Sequence, residues 1–155
     1  MATLLDEFKA ITSALNDAGI EYAVCGGWAM AIHGLMRATI DIDLMILAED
    51  IENAFFVARA NGYDVEGLPL SFDQGAFELR RISKIDKESR ELITLDFILA
   101  TDAYSDVWET REAVETEFGN MKVVSRDGLI KMKLLAGRDR DLLDIKELEE
   151  NENKN

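Results

Sequence analysis

The stretch Cys25–Leu44, CGGWAMAIHGLMRATIDIDL, decides how this chain is read. Before it lies Ile20–Cys25, a run of β-branched, aromatic and apolar residues that reads as a buried strand ending at Gly26-Gly27. A short helical pattern, Trp28–His33, follows and Gly34 closes it; Ala38–Leu47 then alternates until Asp43 and becomes continuously apolar, as a strand buried at its far end does. Side chains alternate across a strand, so Asp41 and Asp43 share a face with α-carbons roughly 6–7 Å apart. Two carboxylates so close repel each other, and a strand of Ile, Leu and Met does not bury them without compensation; a hard, oxygen-preferring divalent cation neutralises both. Gly26 and Gly27 lack β-carbons, which lets backbone N–H groups approach a phosphate, and the helix from Trp28 aims its positive end at the same anion. Strand, glycine turn, helix and D-x-D strand in this order suit a metal-bound triphosphate.

Working outward, residues 2–18 place Leu4, Leu5, Phe8, Ile11, Leu15 and Ala18 on one helical stripe, with Gly19 as the left-handed end. Glu49–Asn61 is an amphipathic helix closed by Gly62, and Tyr63–Gln74, which holds the only proline, Pro69, is a short strand or loop. Ala76–Ile85 and Leu92–Ala100 are two antiparallel strands joined by the polar turn DKESRE, and the second carries Asp96 in an otherwise apolar run. Residues 104–115 are expected to be helical, Asn120–Val124 a strand, and Arg126–Gly137 and Asp139–Asn151 two final helices. The mixture predicts an α/β or α+β single domain over 1–150, helices covering a mixed sheet, with 151–155 a flexible acidic tail.

Composition bounds the function classes. The chain has 155 residues, 48% hydrophobic and 31% charged, enough for one contiguous core without disulfides. Its formal net charge of −14 repels a polyanion over most of the surface, so a general nucleic-acid coating role is excluded while a local basic patch for phosphates is not. Acidic runs such as EDIEN, DKESRE and ELEENENKN read as solvated faces. The N-terminus lacks a basic segment followed by an apolar core, and no apolar run is of spanning length, so no membrane partner and a cytoplasmic location are expected. Cys25, the single cysteine, reads as a small buried hydrophobe.

The segment G-G-W-A…H-G…R-x-T-x-D-I-D-L resembles the nucleotidyltransferase superfamily, whose motif is a Gly-Gly or Gly-Ser turn followed about a dozen residues later by an acidic-x-acidic strand. It looks like the subgroup of lincosamide-type antibiotic nucleotidyltransferases and the nucleotidyltransferase-like toxins of abortive-infection pairs. The later segment SRDGLIKMKLLAGRDRDLLDI looks like the helix pair that follows the catalytic sheet there. The resemblance implies a nucleotidyltransferase-like fold and Mg²⁺ or Mn²⁺ held by Asp41, Asp43 and a third carboxylate, matched by Asp96. Asp96 would ligate a second ion or take the proton of the attacking hydroxyl. A nucleoside triphosphate such as ATP would lie against Gly26 and Gly27, with Arg37 and Lys133 on its phosphates, and its nucleoside monophosphate would pass to a hydroxyl of a small molecule, a protein or an RNA end. Members commonly carry a further acceptor-binding or partner domain, so a protein partner or a homodimer is expected to complete this chain.

Plainer readings stand beside these. A helix-end His33 is satisfied by backbone, Trp28 at the helix start belongs to the core more readily than to a stacked base, and Arg138 with Asp141 and Asp144 forms an ion-pair face. The alternative to an enzyme is a nucleotide-binding component that acts with a partner, such as half of a toxin–antitoxin pair. A structural calcium site is disfavoured because the EF-hand spacing is absent.

Overall fold

Thr3 starts the first helix by a reciprocal cap: its hydroxyl accepts the Asp6 N–H at 3.1 Å, and the Asp6 carboxylate accepts the Thr3 N–H at 3.0 Å. The computed structural model describes residues 3–35, 41–116 and 119–154. Helix α1 (Leu4–Asp17) buries Phe8, Ile11 and Leu15 as its stripe requires. It ends where Gly19 takes a φ of +71° and the Ile20 N–H donates back to the Leu15 carbonyl.

The chain continues through β1 (Ala23–Cys25), α2 (Gly26–Ile32), β2 (Asp41–Ile46), α3 (Ile51–Ala60), β3 (Val65–Glu66), β4 (Leu70–Phe72), β5 (Phe77–Ile85) and β6 (Leu92–Leu99). It closes with α4 (Ser105–Glu109), β7 (Glu112–Thr116), β8 (Gly119–Val123), α5 (Arg126–Ala136) and α6 (Asp139–Lys154). The described strands form one mixed sheet in the order β3-β5-β6-β2-β1-β8-β7, with β4 also on β5. Strand β2 runs parallel to β6 and β1 parallel to β8, while the remaining pairs are antiparallel.

Period-two alternation sorts this sheet into two faces. Ile42, Leu44 and Ile46 of β2 and Leu95, Phe97 and Leu99 of β6 point to one side, all buried. There the Phe55 ring of α3 meets Phe97 at 5.9 Å between centroids, and Ala54 and Ala58 are buried beside it. Fully burying each such Leu, Ile or Phe contributes about 1.5–3 kcal/mol, so this face supplies much of the stability. The acidic residues point to the other face, which is where the groove described below opens.

Two expectations change. Only Ser105–Glu109 of the span 104–115 is helical, and Glu112–Thr116 is instead the edge strand β7, paired antiparallel with β8. Glu109, Glu112, Ala113 and Glu115 favour a helix, but hairpin pairing with β8 overrides this over Glu112–Thr116. The last helix, expected over Asp139–Asn151, runs over Asp139–Lys154. No described helix is long and apolar enough to cross a membrane.

Candidate active site

A single row of residues crosses four strands. Cys25 of β1 is the register partner of Asp43 of β2, Asp43 that of Asp96 of β6, and Asp96 that of Arg81 of β5. Residues directly opposite one another face the same side, so Asp43, Asp96 and Arg81 open together, and Asp41, two residues before Asp43, joins them. The three carboxylates, from two strands, thus lie on one face of the sheet.

The turn beside them is shaped for Asp43. Gly26 begins α2 with a φ of +64°, and a β-carbon built on it would lie 2.8 Å from Asp43 Cγ and 2.9 Å from Asp43 Cβ. Glycine is thus required both by the backbone conformation and by the carboxylate that occupies the space. Gly27 follows within α2 and is half-buried.

The electrostatics follow from this crowding. Burial, with Asp96 and then Asp41 close by, pushes the Asp43 carboxyl up to about 7, against the opposing pull of Arg81 and Lys133. Asp41 is raised as well, by burial first and Asp96 second. The Cys25 thiol, fully buried behind the row, is pushed well above its usual value by burial and by Asp43 and Asp96, which makes it an inert core residue as its sequence context implies.

Sequence reasoning missed Arg81. Its Nε donates to Asp96 Oδ1 at 2.7 Å and its Nη2 to Asp96 Oδ2 at 2.9 Å, a two-pronged guanidinium–carboxylate pair on a residue only 3% exposed. A usable signal was present in the sequence. A hairpin closing at Ile85 and Leu92 places residue 81 opposite residue 96.

Lys133, expected on the phosphates, stands on α5 at the wall of the groove, where its ammonium donates to Asp144 at 2.8 Å and lies 3.7 Å from Asp141. Arg138 Nε donates to Asp141 at 2.6 Å, so Arg138, Asp141 and Asp144 form the expected ion-pair face with Lys133 included. Arg37 lies outside the described residues. His33 caps α2 and its Nε2 lies 2.8 Å from the Val124 carbonyl oxygen, tying α2 to the end of β8, and Trp28 stacks on Phe8 at 4.3 Å. Both follow their plainer readings.

A groove of about 770 Å³ opens over the acidic row. Gly26, Asp41, Asp43, Arg81 and Asp96 form one end; Phe72, Phe77, Leu79, Ile98 and Tyr104 form an apolar flank; Lys133, Arg138 and Arg140 stand on the α5–α6 side. The volume is within the range of small-molecule sites, and its mixture of acidic, basic and apolar walls can hold a polyphosphate through a cation at one end.

A divalent ion such as Mg²⁺ or Mn²⁺ prefers hard oxygen ligands. Asp41 and Asp43 fit: they are oxygen ligands on one strand face, with raised carboxyls that a cation would return to the ionised form. Asp96 shares the face, yet both of its oxygens accept from Arg81. Among the described residues no group of three or more His, Cys, Asp or Glu stands at metal-holding separation.

No family model matches the chain, and no curated protein matches it. Solved structures do. A Thermotoga maritima protein provisionally described as a nucleotidyltransferase superposes with a TM-score of 0.64 at 15% identity, over 92% of this chain and 90% of that one. The antibiotic-resistance factor ANT(2″)-Ia, solved with adenylyl-2″-tobramycin, gives 0.66 at 14% identity over 95% and 88%. The lincosamide antibiotic adenylyltransferase LnuA, solved with lincomycin, gives 0.57 at 16% over 90% and 92%. At these identities the likeness speaks for the architecture: the chain has the nucleotidyltransferase fold, a mixed sheet covered by helices.

Proposed function

We propose that this protein is a metal-dependent nucleotidyltransferase that moves a nucleoside monophosphate from a nucleoside triphosphate to an acceptor hydroxyl. The observation that carries the reading is the register of Asp43 with Asp96 on neighbouring parallel strands, with Asp41 on the same face and the Gly26 turn against it. In the reaction, the acceptor oxygen forms a bond to the α-phosphorus as the bond to the β-phosphate oxygen breaks, and pyrophosphate leaves. Asp41 and Asp43 would hold Mg²⁺ or Mn²⁺, whose chemistry when bound is to neutralise phosphate charge and polarise the phosphoryl group. Gly26, with Gly27 after it, stands beside the acidic row at the end of the groove where the triphosphate would lie, and Lys133 stands on the α5–α6 side. Asp96 takes the proton released by the acceptor hydroxyl or serves a second ion, and positioning with charge neutralisation supplies most of the rate.

A second reading, a nucleotide-binding component that works with a partner such as the other half of a toxin–antitoxin pair, draws on one feature. Leu134, Leu135, Leu142 and Leu143 are 52–62% exposed on the α5–α6 hairpin, more apolar surface than one hairpin normally leaves in water.

Incubating the protein with Mg²⁺ and each labelled nucleoside triphosphate, then following pyrophosphate release and label transfer, separates the two. Asp41→Asn and Asp43→Asn should keep the fold and lose metal-dependent triphosphate binding. Unchanged binding in both variants removes the assignment.

A further inference from the structure

The Arg81–Asp96 pair departs from a three-carboxylate metal centre, and the departure has a chemical meaning. Resting on the nucleotidyl-transfer reading, we infer that the Arg81 guanidinium stands in for a second cation, so that the site takes one divalent ion, at Asp41 and Asp43, and Asp96 is not a ligand to it.

The geometry supports a built-in role. Arg81 and Asp96 are direct cross-strand partners on β5 and β6, so the backbone register fixes their approach before any ligand arrives. The fork is complete, with Nε to one oxygen at 2.7 Å and Nη2 to the other at 2.9 Å. Each contact is charge-assisted, and a guanidinium cannot give up its proton under ordinary conditions, so its charge is permanent. Asp96 is 5% exposed at the side chain against 44% for Arg81, so the carboxylate is buried under an arginine whose other edge faces the groove. A metal ion taking those oxygens would have to displace a buried ion pair or sit beside a fixed like charge; both oppose it. Asp41 and Asp43 stand on β2, separated from Arg81 on β5 by β6, the strand that carries Asp96.

Arg81 is on this account a positioning residue. It orients Asp96 and sets a fixed positive charge beside it, the task that a second metal would otherwise perform. A carboxylate offers about four lone-pair directions and the fork uses two, so Asp96 retains the capacity to accept the proton of an acceptor hydroxyl.

Counting bound Mn²⁺ tests this without relying on turnover. The protein is titrated with Mn²⁺ in the presence of α,β-methylene-ATP, and free Mn²⁺ is followed by electron paramagnetic resonance. The wild type should bind one ion per chain, and Asp96→Asn should still bind one with affinity changed by less than about threefold. Arg81→Gln, which frees Asp96, should bind two, while Arg81→Lys, which keeps a cation, should remain at one. Two ions in the wild type, loss of the ion in Asp96→Asn, or a count of one in Arg81→Gln overturns the inference. If Arg81→Gln does not fold, the wild-type and Asp96→Asn counts still decide. A wild type that binds no Mn²⁺ defeats the underlying nucleotidyl-transfer reading instead, and so is told apart.

Discussion

The Asp43 carboxylate occupies the space that a β-carbon on Gly26 would fill. The glycine turn and the acidic strand are therefore one unit, in which the turn is cut away so that the carboxylate fits beneath it.

Gly26→Ala should damage the site more than the fold. A positive φ at a non-glycine residue costs on the order of 1–3 kcal/mol, and the methyl group must also push Asp43 aside. Thermal unfolding should report the first effect, and Mn²⁺ binding weakened at least tenfold the second. An alanine variant that binds Mn²⁺ as tightly as the wild type would show that Asp43 does not need its present position.

Asp43 should make the metal-free protein less stable as pH rises. Its carboxyl stands at about 7 when folded against an ordinary 3.8, so the folded chain keeps a proton that the unfolded chain has released. The associated stability is fully present below pH 3.8 and is lost as pH passes through 7. Chemical denaturation at pH 5 and pH 8 should differ by on the order of 1–4 kcal/mol from this group, with the lower stability at pH 8. Asp43→Asn should flatten the dependence, as should saturating Mg²⁺. An asparagine variant with the wild-type slope would mean that other groups set it.

Lys133→Met should act on stability before it acts on phosphate. Asp144 and Asp141 are 2% and 1% exposed, and Lys133 donates to the first at 2.8 Å. Removing one partner of a buried pair costs about 3–5 kcal/mol, with Arg138 left to hold Asp141 alone. Equilibrium unfolding in urea checks the value. A variant of wild-type stability that has lost triphosphate binding would instead make Lys133 a phosphate contact and nothing more.

Asp96→Asn should lower turnover without lowering triphosphate affinity. Loss of a proton acceptor typically costs 10²- to 10⁴-fold in rate, roughly, while the asparagine oxygen can still accept one hydrogen bond from Arg81. Single-turnover label transfer and equilibrium binding measured side by side decide it, and normal turnover would take Asp96 out of the reaction.

How much of this was readable beforehand depends on range. Asp41 and Asp43 lie two apart, and the two-residue period of a strand fixes their shared face without any tertiary information, while the β1–β2 pairing brings Gly26 to Asp43. Asp96 needed one further step, because a lone acid in an apolar run announces a special position but not its neighbour; parallel pairing of β2 with β6 supplies that. Arg81 escaped because Arg80-Arg81 looks like an ordinary polar pair on an alternating strand, and only the hairpin register sets the second of them against Asp96. Arg80 faces the other way, over the Phe55 ring and 3.6 Å from Glu66. The helix expected across 104–115 failed for a related reason: strand β7 exists because β8 pairs with it, and local composition carries no record of that partner.

The order of strands also sets a sequence of events during synthesis. Asp41 and Asp43 leave the ribosome well before Asp96, and β8, which docks on β1, and α5, which walls the groove, emerge later still. Contacts between distant segments form slowly because chain ends must first be brought together. A nascent chain therefore carries its acidic strand before Arg81, Lys133 and the α5 wall of the groove have emerged to temper it.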